Sequence, residues 1–488
     1  MDPRRKDSHL AAICSSTPLF VDLDGTLIRS DTLVELLLRL VKKNPLVVFL
    51  LPLWLSRGKA RFKREVACRV DLDPLSVPYE PTVLSYLREQ HQLGRQVVLV
   101  TAADERIAGK IAEQVGCFTA ILASEESKNL CGDRKLKAIR EFVGSQDFIY
   151  FGNANIDLPI WQAAKQAVLV NCTRRLLTKA SKCAEISCII STQKSRVKSF
   201  VTAIRAYQWV KNGLLFVPLL TGHHLTEGNR LLATVAAFLA FSLCSSSTYV
   251  LNDLLDLEAD RRHPSKKRRP FASGDLALKV GLLIVPILLC AGLALSLLLP
   301  SNFTIILAVY CLLTITYSFY LKRFVMVDVI LLALLYTLRI IAGGVASRII
   351  ISNWLLAFSM FFFLSLALLK RYSELHEVVR KHKDSDVSRG YSTADMEQLA
   401  SMGSASGYLT ALVLGLYINS EDVKALYAHP EFLWLICPLI LYWISRVWLV
   451  ARRGYMNDDP IIFAIKDKTS YAVGLATVII VLFAMGWA

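Results

Sequence analysis

Two hydrophobic rhythms divide the chain. From about residue 17 to about 171, apolar runs of strand length (PLFVDLDG, QVVLVTA, DFIYFGN and QAVLVN) alternate with stretches of helical period. Runs that are apolar throughout and end in polar residues predict a parallel α/β sheet with its chemistry at the strand C-termini. From Trp209 onward the rhythm changes to nine long apolar segments, centred near residues 216, 241, 288, 311, 335, 360, 412, 440 and 478. Such segments predict membrane-spanning helices. The expected fold is multidomain, with an N-terminal Rossmann-like α/β domain followed by an all-α polytopic membrane domain of about nine helices.

The boundaries follow from the same pattern. Residues 1–175 form the first domain, and within them about 33–81 are helical in pattern. That insert contains NPLVVFLLPLWLSRG, which is too short for a confident span and is expected as a cap resting on the bilayer rather than as a tenth membrane helix. Residues 176–204, within TRRLLTKASKCAEISCIISTQKSRVKS, are basic and are expected as a linker, and 205–488 form the membrane domain. Composition agrees, because 54% hydrophobic residues and a mean hydropathy of +0.43 are too apolar for a soluble chain of this length. The net charge of +16 does not point to nucleic acid, since much of the excess lies in short loops. The loops at 261–269, 322–323, 370–389 and 452–468 are basic, whereas the opposite ones hold little beyond Arg230, Arg348 and Lys424. The positive-inside rule then places the basic loops and the first domain on the cytoplasmic side of the cell membrane. The N-terminus is a poor signal peptide, which agrees. Eleven cysteines without CxxC pairs, several inside apolar runs, are expected as packed thiols rather than disulfides or zinc ligands.

The most informative motif is NDLLDLEAD at 252–260. It puts Asp253, Asp256 and Asp260 at the end of an apolar run, and steps of three and four stack them on one helix face. Three like charges at a bilayer boundary call for a divalent cation, and magnesium with a diphosphate is the natural occupant. Just downstream, HPSKKRRPFASGD supplies Lys266, Lys267, Arg268 and Arg269 for phosphate oxygens.

NDLLDLEAD followed by KKRRP resembles the first aspartate-rich motif of the UbiA prenyltransferase superfamily, over about residue 205 to the C-terminus. RAYQWVKN, YSFYLKRFVMVDV, LRIIAGGVAS, KRYSEL and IIFAIKDKTS are similar, within that superfamily, to polyprenyl-phosphate phosphoribosyltransferases of the decaprenyl-phosphate type. The resemblance implies Mg2+-dependent transfer of phosphoribose from phosphoribosyl pyrophosphate to a polyprenyl phosphate in the bilayer. The loop after the sixth apolar segment, KRYSELHEVVRKHKDSD, offers Lys370 and Arg371, with Glu374 one turn on, in place of a second carboxylate cage. Cations there favour an anionic acceptor, and a lipid phosphate attacking the anomeric carbon needs no strong general base. In this reading Asp253, Asp256 and Asp260 are metal ligands, and Asn252 is a ligand or an orienting amide. Lys266 and Arg269 bind phosphate, while Lys211, Lys322, Lys370 and Arg371 are candidates for donor or acceptor phosphate. Arg339 is costly inside an apolar segment and needs a partner or a cavity, for which Asp328 is a candidate. Gly343 and Gly344 are expected to permit close helix packing.

In the first domain VDLDGTLI resembles the first motif of the haloacid dehalogenase superfamily, which includes many phosphatases. A strand ending in Asp22 presents a nucleophilic carboxylate, Asp24 acts as acid and base, and Gly25 and Thr26 allow the turn beside Mg2+. VVLVTAAD supplies Thr101 as phosphate ligand. GDRKLKAI supplies Lys135, with Lys137 close enough to leave the choice open. YFGNANIDLPIW keeps Asp157 but has Asn153 where an aspartate is commonest, so Asp22, Asp24, Asn153 and Asp157 are the expected metal set. Removal of the sugar 5-phosphate from the membrane domain's product is the suggested role. Two other classes compete: an aromatic-acceptor prenyltransferase of quinone or haem biosynthesis, against which KRYSEL speaks, and a scaffold or transporter, which has no use for three carboxylates. A homo-oligomer is compatible with all of them.

Overall fold

The computed structural model describes residues 17–125, 129–192, 195–380, 390–456 and 459–486. The sequence readings at 1–16 and at 381–389, the end of KRYSELHEVVRKHKDSD, lie outside the described residues. The chain divides into two compact units. One holds the residues up to Arg205 together with Tyr249–Pro286; the other holds Ala206–Thr248 and the chain from Ile287 on.

In the first unit six parallel strands form one sheet: β1 (Leu19–Val21), β2 (Val97–Asp104), β3 (Ala120–Ser124), β4 (Ile149–Gly152), β5 (Gln166–Val170) and β6 (Ile186–Ile190), in the order β3-β2-β1-β4-β5-β6. Leu19 is in register with Val97 on one side and Ile149 on the other. Because side chains alternate, Leu19 and Val21 face one core with Leu99, Phe151 and Val168, while Phe20 faces another with Val98, Tyr150 and Trp161. Burial on both faces explains why these strands are apolar at every position. Strand order reverses at β1, so the polar ends of β1, β2 and β4 open one crevice. Within the stretch expected as a linker, Arg174–Ala180 is helical and β6 extends the sheet, its Ile190 buried at the edge. The alternation in ISCII carries that strand, masked in sequence by the surrounding lysines and arginines. The insert at 33–81 is helical as expected, with helices Thr32–Lys43, Leu51–Ser56 and Lys59–Arg69.

Among the described residues seven helices are long and apolar enough to cross a membrane: Gly228–Leu255, Leu278–Ser296, Ser301–Phe319, Val327–Ser347, Asn353–Arg380, Thr393–Ile418 and Pro430–Arg452. Two further segments of the nine differ. Lys468–Ala484 has 17 residues and so rises about 26 Å, short of a ~30 Å hydrocarbon core. The segment near 216 is a 3-10 stretch, Ala206–Phe216, followed by the short helix Val217–Thr221, with Pro218 unable to continue an upstream helix. Gly343 packs against this stretch so closely that a Cβ there would lie 2.1 Å from the Leu215 carbonyl oxygen, which is the close packing its position suggested.

Candidate functional site

The first cluster lies at the strand ends of the α/β sheet. Asp22 follows β1 and accepts a hydrogen bond from Lys135 Nζ at 2.8 Å; the same ammonium reaches Tyr150 Oη at 3.2 Å. Lys137 instead faces out toward Glu141 at 4.0 Å, so Lys135 is the lysine that this fold turns into the crevice. Burial pushes Asp22 up to about 6, against the pull of Lys135. Asp24 accepts from the Thr32 backbone N–H at 2.9 Å and the Thr32 hydroxyl at 3.2 Å. Burial, followed by the nearby charge of Asp31, pushes Asp24 up to about 7. Thr101 is buried in β2 and its hydroxyl accepts from the Ala103 N–H. Asp157 is fully buried, taking Tyr150 Oη and the backbone N–H groups of Asn153 and Ala154, so it holds the turn after β4 in shape. Asn153 lies over Gly25, where a Cβ would sit 1.8 Å from its amide nitrogen; Gly25 also has φ +78°, and both facts require glycine. A buried carboxyl and a half-buried one, both held back from ionising, together with the Asn153 amide have the oxygen chemistry that suits Mg2+.

The second cluster is the aspartate-rich loop, in the same unit. The expected single helix face does not form. The helix stops at Leu255, Asp256 leaves helical geometry (φ −102°, ψ 18°), and the short helix Leu257–Arg262 follows. Asp253 and Asp260 still converge, because Arg269 Nη1 donates to both at 2.9 and 2.6 Å. Arg205 pairs with Asp253 as well and lies over the Tyr249 ring. Burial raises the Asp260 carboxyl, with Arg269 opposing. Asp256 turns aside to Lys42 Nζ at 2.8 Å, while Asn252 and Lys266 are half-buried on the flanks. Among the described residues no three His, Cys, Asp or Glu side chains surround one point. A guanidinium bridges the carboxylates instead, which marks where a cation is favoured. The all-oxygen donor set fits Mg2+, provided Arg269 changes partner.

The loop is clasped by the cap. Arg261 Nη2 and Nη1 meet the two carboxylate oxygens of Glu35 at 2.7 and 2.9 Å, with both side chains buried, and Arg261 Nε donates to the Ala272 carbonyl. Asp31, the N-cap of the Thr32–Lys43 helix, pairs with Lys279 at 2.7 Å.

In the second unit, among the described residues, the candidate phosphate-binding and structural side chains gather in polar clusters. Lys211 and Lys370 both donate to Asp459 Oδ2, at 2.9 and 3.0 Å. Burial opposes ionisation of Asp459, but Lys370 and Lys211 outweigh it and hold the carboxyl well below its usual range. Leu332, Tyr336, Lys370, Asp459 and Pro460 line a cavity of about 20 Å³ there. Arg339 donates to Asn212 Oδ1 at 2.9 Å and Tyr310 Oη at 2.8 Å, which satisfies it by polar neutral groups. Asp328, its expected candidate partner, belongs elsewhere: it pairs with Arg371 and accepts from Tyr391 Oη at 2.6 Å. Arg371 also meets Glu374 and Tyr317, so this arginine is bound up in locking helices together. Lys322 is half-buried in the turn Leu321–Arg323.

Glu35, Lys42, Arg205 and Asp459 were not singled out in sequence. A lone glutamate on the apolar face of TLVELLLRL was a usable signal for Glu35. Arg205 opens RAYQWVKN, and Asp459 precedes a proline at the head of an apolar stretch; their partners lie 48 and up to 248 positions away.

Comparison with known proteins agrees with this division. The haloacid dehalogenase-like hydrolase model matches residues 19–161 and the UbiA prenyltransferase family model residues 215–466. A Sinorhizobium fredii relative, the uncharacterized protein y4nM, is 38% identical over 94% of this chain and 89% of its own. The nodulation protein NoeC of Azorhizobium caulinodans is 35% identical, covering 57% of this chain and 91% of that one. The decaprenyl-phosphate phosphoribosyltransferase of Mycobacterium tuberculosis is 31% identical, covering 57% and 92%. A solved UbiA homologue from Archaeoglobus fulgidus, bound to DMAPP and Mg2+, gives a TM-score of 0.46 at 16% identity over 59% of this chain and 98% of that one. With more than half of its length matched by one family model, the chain is an integral membrane protein that belongs to the UbiA prenyltransferase family and carries a haloacid dehalogenase-like domain at its N-terminal side.

Proposed function

We propose that this chain transfers 5-phosphoribose from phosphoribosyl pyrophosphate to a polyprenyl phosphate, and that its N-terminal domain then removes the 5-phosphate of the lipid product, both on the cytoplasmic side of the cell membrane. The observation that carries this reading is the pairing, in one compact unit, of the Asp253–Arg269–Asp260 cluster with the Asp22–Lys135 site. Similarity to a relative named decaprenyl-phosphate phosphoribosyltransferase supports the substrate pair.

In the transfer step, Asp253, Asp256 and Asp260, with Asn252, would hold Mg2+, whose charge helps the diphosphate to leave. Arg269 exchanges its carboxylate partners for diphosphate oxygens, and Lys266 adds a second cation. Lys211 and Lys370, aligned by their shared bond to Asp459, are assigned to the acceptor phosphate. A lipid phosphate oxygen forms the new bond to the anomeric carbon as the bond from that carbon to the diphosphate breaks. Arg339 and Arg371 keep structural roles in this scheme, and Lys322 is a further contact for phosphate.

In the second step, the Asp22 carboxylate attacks phosphorus and the bond to the ribose 5-oxygen breaks, Asp24 giving its proton to that oxygen. Asp24 then takes a proton from the water that releases inorganic phosphate from Asp22. Lys135 and Thr101 hold the phosphoryl oxygens, and Asp22, Asp24, Asn153 and Asp157 are the set assigned to Mg2+.

The test is incubation of the purified full chain with Mg2+, radiolabelled phosphoribosyl pyrophosphate and a polyprenyl phosphate, followed by lipid extraction. The expected result is a labelled ribosyl lipid without its 5-phosphate from the native chain, and with it from Asp22→Asn. Absence of labelled lipid in a preparation that prenylates an aromatic acid would replace this reading with the aromatic-acceptor one.

A further inference from the structure

The cap carries a surface that neither catalytic reading uses. Between the helices Thr32–Lys43 and Lys59–Arg69, the chain runs through a 3-10 turn, Pro45–Phe49, and the short helix Leu51–Ser56. Val47 and Trp54 turn inward and join the domain core, fixing the segment to the fold. Their neighbours turn outward: Phe49 is 80% and Leu46 69% exposed, and Val48, Leu50, Leu53 and Leu55 are exposed as well. Six large apolar side chains presented within ten residues form an uncommon surface for an aqueous face.

Two observations identify what covers it. The first is charge. From Lys42 to Arg64 the sequence contains seven lysines and arginines and no aspartate or glutamate, and Lys43, Arg57, Lys59 and Arg61 are exposed around the apolar tip. An apolar tip ringed by cations matches a bilayer with anionic headgroups, where acyl chains take the leucines and phosphates take the lysines. The second is position. The helix leading to the tip is tied at one end to Lys279, at the start of the apolar helix Leu278–Ser296, through Asp31, and at the other to Asp256, just past the end of Gly228–Leu255, through Lys42. It therefore joins two residues that flank membrane-helix ends, Lys279 and Asp256, and the tip follows directly on Lys42. A six-residue helix cannot cross, so the segment lies in the interface.

We infer that residues 46–55 are a monotopic membrane anchor, inserted into the cytoplasmic leaflet and selective for anionic lipid, which seats the cap over the aspartate-rich loop. A phosphatase crevice whose cap is embedded this way is presented to phosphates that reside in the membrane.

The test places a photo-crosslinking residue in the full chain, reconstituted into vesicles of phosphatidylethanolamine and radiolabelled phosphatidylglycerol. Phe49→p-benzoylphenylalanine and, as a second reading, Leu46→p-benzoylphenylalanine are compared with the same residue at Leu93, which is exposed at the N-terminal edge of the sheet. The expected result is at least ten times more lipid adduct at 49 and 46 than at 93. Lipid labelling no greater than at 93, or an adduct at 49 with a second copy of this chain, overturns the anchor. The readout needs no turnover, so it stands apart from the proposed reaction.

Discussion

Asp22 and Asp24 follow a buried parallel strand, Asp253 and Asp260 lie at the end of a long apolar helix, and the same carboxyl group is set against opposite backgrounds. At the strand end, one lysine faces Asp22, backbone and hydroxyl donors orient Asp24, and burial raises both. At the helix end, guanidinium groups already compensate the carboxylates. Under the proposed reactions the first arrangement serves a nucleophilic Asp22 with Asp24 as acid and base, and the second serves a diphosphate that draws Arg269 from Asp253 and Asp260.

The largest expected effect separates the sites. Asp22→Asn is expected to lower phosphatase turnover by at least ~10³-fold, and Asp253→Asn to lower lipid labelling as strongly, each leaving the other activity within a few-fold in one preparation. Loss of both activities in either variant would merge the sites. A third background sharpens the contrast: Asp328 is paired with Arg371, a buried arginine that also meets Glu374 and Tyr317. Arg371→Ala is therefore expected to cost about 3–5 kcal/mol through the uncompensated Asp328 charge, seen as a lower unfolding temperature in detergent. Next comes the clasp. Glu35→Gln leaves Arg261 without its two-pronged partner and is expected to cost about 1–3 kcal/mol. Hydrogen exchange across 257–275 should rise, and transfer should fall more than hydrolysis; a Glu35→Arg, Arg261→Glu double variant should restore part of the protection.

The smallest effect is a pH dependence. Glu80 is buried, which opposes ionisation, but bonds from Arg29, Thr192 and Asn171 outweigh burial and hold it below its usual 4.5. A depressed carboxyl stabilises the folded state above its unfolded value, and that contribution is lost as pH falls through the window below 4.5. Glu80→Gln should flatten the acid limb of a stability-against-pH curve measured on the full chain, with little effect at pH 7 beyond the ~1 kcal/mol of a weakened hydrogen bond.

The elements, and the motifs that carry the candidate side chains, were legible in the sequence. Apolar runs of two lengths separated sheet from membrane helices, because burial on both faces and burial in lipid impose different lengths on the chain. Short motifs pointed to Asp22, Asp24, Thr101 and the loop aspartates, because their spacing is set by the local backbone; the break at Asp256 was not among what they showed. The partners depend on the folded chain. Lys135 rather than Lys137 turns to Asp22, Arg371 rather than Arg339 neutralises Asp328, and Asp256 leaves the other two aspartates for Lys42. Each pairing joins residues 43 to 214 positions apart, so no local period encodes it. The basic stretch at 176–204 concealed β6 for a related reason: an edge strand is defined by its pairing, and although β5 was legible as an apolar run, its pairing with β6 forms only once the chain has folded.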